Sequence, residues 1–172
     1  VIVSMIDTAE DARCVVEAVR YPPRGRRSYG PARGLLYGGP DYPAHADDEM
    51  LAFAMIETAE GLANLDEIAA VPGLDGLFIG PSDLSFALGM RPPPQWRDEP
   101  LAGAIARIRA AATAHGKFTG IFCTSPEMGA AMHTAGFEMV VPANDAVLLR
   151  GAAQDWCDRI RGTPGGGPKP SY

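Results

Sequence analysis

Short apolar runs recur along this chain, and each is followed by a stretch whose apolar positions fall three and four residues apart. Val1 to Ile6, Leu51 to Ile56, Leu74 to Ile79, Thr119 to Cys123 and Phe137 to Val141 read as strands. The stretches after them read as amphipathic helices. Thr8 to Val19 gathers Ala12, Val15, Val16 and Val19 on one face, and Ala59 to Ala70 gathers Leu62, Leu65, Ile68 and Ala69. Further helices are predicted over Leu84 to Leu88, Pro100 to Ala114, Ser125 to Ala135 and Ala146 to Arg161. Arg24 to Ala46, rich in Gly, Pro and Arg, reads as a long loop with room for a short helix, and loops of that length tend to be functional. Arg91 to Pro94 reads as a proline loop over the same end of the sheet as the candidate acids below. One domain over 1–161 and a disordered Gly/Pro tail over 162–172 are expected. Strand and helix alternating in this way predict an α/β fold, a parallel sheet with right-handed crossovers. Half a barrel and an open doubly wound sheet both remain open on spacing alone.

One phrase occurs twice: Met5-Ile6-Asp7-Thr8-Ala9-Glu10 and Met55-Ile56-Glu57-Thr58-Ala59-Glu60. Each copy places an acid at the end of a strand, directly before a Thr suited to cap the following helix. Asp83 sits in a comparable place, after the strand ending at Ile79 and the turn Gly80-Pro81-Ser82. Ligands of parallel α/β proteins bind at the C-terminal strand ends, so acids collected there are candidate metal or catalytic groups. The competing reading is an acid at a helix N-terminus, favoured by the macrodipole. Asp7 reads as a cap or a group supporting the site, and Asp145 as a helix cap or a residue at the site rim. His115 and His133 fall late on amphipathic helices and read as surface or cap positions, whereas His45 lies in the long loop.

Composition narrows the function classes. A chain of 172 residues with 47% hydrophobic content can bury a substantial core. Its net charge of -6 offers no basic stripe for nucleic acid, the cluster Arg20, Arg24, Arg26, Arg27 and Arg33 being the local exception. Cys14, Cys123 and Cys157 are odd in number and far apart, which suits neither a disulfide framework nor a zinc site. No apolar run approaches the roughly 20 residues of a membrane span. A soluble, cytoplasmic protein with structural thiols is expected. The sequence opens on Val1 inside a predicted strand, so an N-terminal portion is expected to be missing.

The segments Arg20-Tyr21-Pro22-Pro23-x-Gly25-x-Arg27, Met55-Ile56-Glu57-Thr58, Gly73-Leu74-Asp75-Gly76-Leu77-Phe78-Ile79-Gly80-Pro81-Ser82-Asp83-Leu84-Ser85 and Gly116-Lys117-x-x-Gly120-Ile121 resemble the HpcH/HpaI aldolase family, the metal-dependent class II pyruvate aldolases related to the citrate lyase β subunit. The resemblance runs from Val1 to about Arg150. It implies an incomplete (β/α)8 TIM barrel in which this chain supplies roughly strands 4 to 8. It assigns Glu57 and Asp83 to a divalent metal, Mg, Mn or Co, and makes Gly80 and Ser82 candidates to offer backbone amides to the pyruvate carboxylate. The implied activity is cleavage of a 2-keto-4-hydroxy acid to pyruvate and an aldehyde, by Lewis-acid catalysis rather than through a Schiff base. Independently of the family, Lys117 and Lys169, the two lysines, lie away from the predicted strand ends.

The same resemblance places the histidine base, its aspartate partner and an arginine for the keto-acid carboxylate upstream of Val1, so no residue here is assigned as catalytic. Met55 stands where some members carry glutamine, which implies altered substrate contact. Arg27 matches the family's motif arginine, with a site, interface or loop salt-bridge role. A barrel lacking three strands would expose two sheet edges. Alternatives kept open are a lyase for an acyl-CoA or citramalyl-type substrate, with Arg24, Arg26 and Arg27 as the available phosphate patch, and a catalytically inactive scaffold subunit. A small-molecule keto acid is the expected partner. A homo-oligomer, a hexamer by resemblance, is expected too, its last helix docking across subunits through Leu148, Leu149, Ala152, Ala153, Trp156 and Ile160.

Overall fold

The computed structural model describes residues 1–91 and 95–162. The proline loop expected at Arg91 to Pro94 and the expected tail fall largely outside them. Five strands run parallel in sequence order: β1 (Ile2–Val3), β2 (Phe53–Ile56), β3 (Gly76–Ile79), β4 (Phe118–Phe122) and β5 (Met139–Val141). Around them lie α1 (Ala9–Val19), α2 (Ala32–Gly38), α3 (Tyr42–Glu49), α4 (Ala59–Ala63), α5 (Leu65–Ala69), α6 (Pro81–Ala87), α7 (Leu101–Ala114), α8 (Pro126–Thr134) and α9 (Asp145–Arg161).

Alternation along the strands separates two faces. Ala54, Ile56, Leu77, Ile79 and Ile121 join one buried cluster with Ala12 and Val15 of α1, Leu62 of α4, Ile68 of α5, Leu84 of α6, Ile108 of α7 and Met128 of α8. The other face carries Phe53, Met55 and Glu57 on β2 and its end, Phe78 on β3, and Phe122 on β4, and none of these joins that cluster. A doubly wound sheet covers both faces with helices. Helices gathered on one face of a sheet whose strands follow chain order give a curled half-barrel instead, consistent with an incomplete TIM-barrel-like fold.

Glycines make room on the helix-free face. Phe53 is in register with Gly76, and Phe78 with Gly120. A Cβ at Gly76 would overlap the Phe53 ring, and one at Gly120 would lie 2.5 Å from Phe78 Cδ2. Each bulky side chain therefore lies over a neighbouring glycine, as inward-facing layers of a small barrel require.

At the N-terminal ends of β2 and β3 lies a partly buried ion pair. Arg20, 5% exposed, donates to the Met50 carbonyl and, at 2.9 Å, to Asp75 Oδ2, which also accepts the Ala52 amide at 2.7 Å. Lys117 reaches the same end, donating to the Val71 and Leu74 carbonyls.

Several elements depart from expectation. The first strand ends at Val3 rather than Ile6, because Met5 takes φ 56° and turns the chain out of extended geometry. The helix expected over Ala59 to Ala70 divides at Asn64, which caps α4 and leads into α5. Two helices, α2 and α3, occupy the stretch read as a long loop, with Gly39 at φ 81° between them. Helix α6 starts at Pro81 rather than Leu84, since proline's fixed φ suits the first helical position. Ser82 and Asp83 thus belong to its first turn.

Candidate active site

Glu57 follows β2 directly, and Thr58 behind it caps α4 by accepting the Gly61 amide. The Glu57 side chain lies on the helix-free face beside Gly80, with the residue 5% exposed. Its Oε1 accepts the Met5 amide at 2.9 Å. A Cβ at Gly80 would overlap Oε2 and come within 3.2 Å of the Glu57 Cβ. Only glycine leaves the carboxylate its present place.

Glu57 opens into a cleft of about 240 Å³ at the C-terminal strand ends. Glu57, Ser82, Asp83 and Asn144 give it a polar end, while Met55, Phe78, Pro81 and Phe122 form an apolar wall. Burial pushes the Glu57 carboxyl above its ordinary value. The Met5 N–H opposes that shift, and the negative charges of Asp83 and Asp7 add to it. A carboxyl whose proton affinity is raised by burial and by a neighbouring acid, at the lining of a cleft, is a common signature of function.

Among the described residues no group of three or more His, Cys, Asp or Glu side chains converges on one point. A divalent cation here would thus take Glu57 and Asp83, with water and ligand oxygens completing its shell. Magnesium-type ions bind in this manner, through one or two carboxylates and several waters, whereas a closed structural zinc site needs four N or S ligands. The donor set fits a hard cation.

The family model described as HpcH/HpaI aldolase/citrate lyase matches residues 1–152. The chain belongs to this family. Among curated relatives, the hydroxypyruvate/pyruvate aldolase of Rhizorhabdus wittichii is 42% identical over 154 residues, which cover 90% of this chain and 61% of the relative. The chain thus spans about three-fifths of the length of that relative. A solved HpcH/HpaI aldolase/citrate lyase family protein from Burkholderia cenocepacia is 29% identical with a TM-score of 0.79, over 93% of this chain and 64% of the other. Family aldolases generally depend on a divalent metal. The protein CitE from Mycobacterium tuberculosis was solved in complex with magnesium and acetoacetate; at 19% identity and a TM-score of 0.56, over 83% of this chain and 51% of that one, it speaks for the fold alone.

Within this HpcH/HpaI chain, Glu57, Gly80, Ser82 and Asp83 all line one cleft. Asp7 does not; its Oδ1 accepts the Thr58 hydroxyl and its carbonyl accepts Asn64 Nδ2, so it braces the segment after Glu57. Arg27 is also away from the cleft and, among the described residues, makes no carboxylate pair. Its guanidinium lies 4.6 Å from the Tyr21 ring centroid and donates to Tyr42 Oη at 3.0 Å. The exposed His45 stands 3.6 Å from Asp41, and His115 and His133 end α7 and α8. Asp145 is not the cap of α9; Asn144 is, accepting the Val147 amide at 2.9 Å while also lining the cleft. The sequence reasoning singled out Asp145 and not Asn144. An amide side chain at a strand end before a helix was the available signal, as it was for the acids. Nothing in the sequence signalled the Met5 amide, because that contact depends on backbone conformation.

Proposed function

We propose that this chain is the metal-binding portion of a class II pyruvate aldolase, its β1 to β5 answering to strands 4 to 8 of a (β/α)8 barrel. The observation that carries the proposal is the meeting of Glu57 and Asp83, from adjacent strand ends, at one cleft whose remaining wall is apolar. Glu57 and Asp83 would hold Mg, Mn or Co. When bound, such a cation supplies Lewis-acid polarisation of a keto oxygen. Ser82, in the first turn of α6, has an amide with no intrahelical acceptor, and with Gly80 it is suited to receive a keto-acid carboxylate. Met55, Phe78 and Phe122 give the cleft an apolar lining beside the acids. No lysine of the described chain lines the cleft, since Lys117 is committed to carbonyls at the opposite sheet end.

The reaction we infer is cleavage of a 2-keto-4-hydroxy acid to pyruvate or hydroxypyruvate and an aldehyde, in keeping with the name of the Rhizorhabdus wittichii relative. The proton-transfer groups would come from outside the described chain, where no residue is assigned to that role. An acyl-CoA substrate draws no support from the arginine cluster, because Arg24 pairs with Asp48 and Arg26 with Glu17. The exposed apolar residues Leu148, Leu149, Trp156 and Ile160 of α9 are consistent with a homo-oligomer.

Calorimetric titration of the chain with Mn²⁺, with and without pyruvate, tests the reading. Saturable binding lost in both Glu57→Ala and Asp83→Ala is the expected result. A folded protein that binds no Mn²⁺ refutes the metal assignment and leaves an inactive scaffold as the better reading.

A further inference from the structure

Met5 is the one non-glycine residue at positive φ among the described residues, and its amide points at the Glu57 carboxylate. Residues other than Gly, Asn and Asp seldom occupy that region, so the conformation costs free energy that the surroundings must offset. On the far side of the same carboxylate Gly80 has no side chain, and any Cβ there would overlap Oε2. One oxygen is therefore tied by a donor from the β1 end, and the other is given space from the β3 end.

We propose that Met5 and Gly80 are positioning residues for Glu57. The Met5 amide occupies Oε1, and the gap at Gly80 leaves Oε2 as the oxygen presented to a cation in the cleft. The Ile6 amide donates to the Met55 carbonyl at 3.3 Å, and the left-handed turn at Met5 lets the Met5 amide face the same β2 side, whereas consecutive amides of an extended strand point to opposite sides. The inference rests on the metal reading of Glu57 and adds to it a backbone device that fixes which carboxylate oxygen serves.

The device makes opposite demands on the two positions. At residue 5 glycine is acceptable, since it adopts positive φ freely and keeps the amide, whereas a β-branched side chain opposes that conformation. At residue 80 only glycine is acceptable. Mn²⁺ affinity of the chain is measured by calorimetry for Met5→Gly, Met5→Val and Gly80→Ala, with folding checked by circular dichroism and Glu57→Ala as the reference for loss. Met5→Gly is expected to bind within about twofold of the parent, and Met5→Val and Gly80→Ala about 10- to 100-fold more weakly, the range typical of groups that orient a metal ligand.

A second readout does not depend on metal. The Met5 amide proton should resonate downfield and exchange slowly, and it should move in Glu57→Gln. A random-coil shift with fast exchange overturns the inference by itself. If folded Met5→Val and Gly80→Ala bind as tightly as the parent while Glu57→Ala does not bind, the positioning inference fails and the metal reading stands. If the folded parent binds no Mn²⁺, both fall together.

Discussion

Replacing Arg20 separates what holds the half-barrel together from what equips it to bind. The guanidinium is almost wholly buried, donates to Asp75 Oδ2 at 2.9 Å, and also reaches the Met50 carbonyl. Breaking a buried pair by removing one partner costs about 3–5 kcal/mol, chiefly through the charge left behind. The two partners are not equally exposed: the Asp75 side chain is 26% accessible and that of Arg20 only 6%. In Arg20→Met the remaining carboxylate keeps the Ala52 amide and some water, so about 2–3 kcal/mol is expected. In Asp75→Asn the buried guanidinium keeps the Met50 carbonyl but loses its carboxylate, and the cost should be larger, about 3–5 kcal/mol. Urea unfolding followed by circular dichroism measures both, and the double variant should cost less than the sum by more than about 1 kcal/mol. Mn²⁺ affinity should be unchanged in Arg20→Met, because the pair lies at the N-terminal ends of β2 and β3 and the cleft at their C-terminal ends. Single costs that add to within about 0.5 kcal/mol would refute the pairing as the source of the stability.

Three further expectations concern other parts of the fold. Thr119 donates its hydroxyl at 2.7 Å and its amide at 2.8 Å to Glu138, and these bonds hold the carboxyl below its ordinary 4.5. A lowered acid contributes stability above its unfolded value and loses it as pH falls through the folded one, so the parent should lose stability below pH 4.5 more steeply than Glu138→Gln in acid titrations followed by circular dichroism. Burial pushes the Cys123 thiol up to about 11, leaving on the order of one thiolate in a thousand at pH 8. A chromogenic disulfide reagent should therefore modify the exposed Cys157 in the native state and reach Cys123 only on unfolding. Gly120→Ala forces a methyl onto the Phe78 ring, an overpacking of about 1–3 kcal/mol that should appear as a lowered melting temperature; an unchanged one contradicts the role given to the glycine pairing.

The parts of this protein legible in its sequence are those set by local rules. Apolar period located all five strands, and Thr8 and Thr58 announced their helices as capping residues. Glu57 stood out as an acid directly past an apolar run, and Asp83 as one just beyond the turn that follows another, places where a packed core has little reason to hold a charge. What the period could not supply was the choice between half-barrel and doubly wound sheet. That choice lies in which face each helix covers, and it is settled by residues such as Ile108 and Met128 meeting Ile79 and Ile121 in one cluster. The motif residues show the same limit. Arg20 in the Arg-Tyr-Pro-Pro motif and Asp75 in the Gly73 to Ser85 stretch carry the family resemblance in two separated segments, yet they are one ion pair in space. Arg27, which the motif made a candidate for the site, is packed between Tyr21 and Tyr42 instead. The Met5 amide was hidden for a different reason: a methionine in an apolar run predicts extended backbone, and its departure from that geometry goes with a contact to the neighbouring strand end, which no local pattern encodes. Departures from local rule beside a cleft are where function is expected to override propensity, and Met5, the one non-glycine residue at positive φ among the described residues, bonds a carboxylate that lines it.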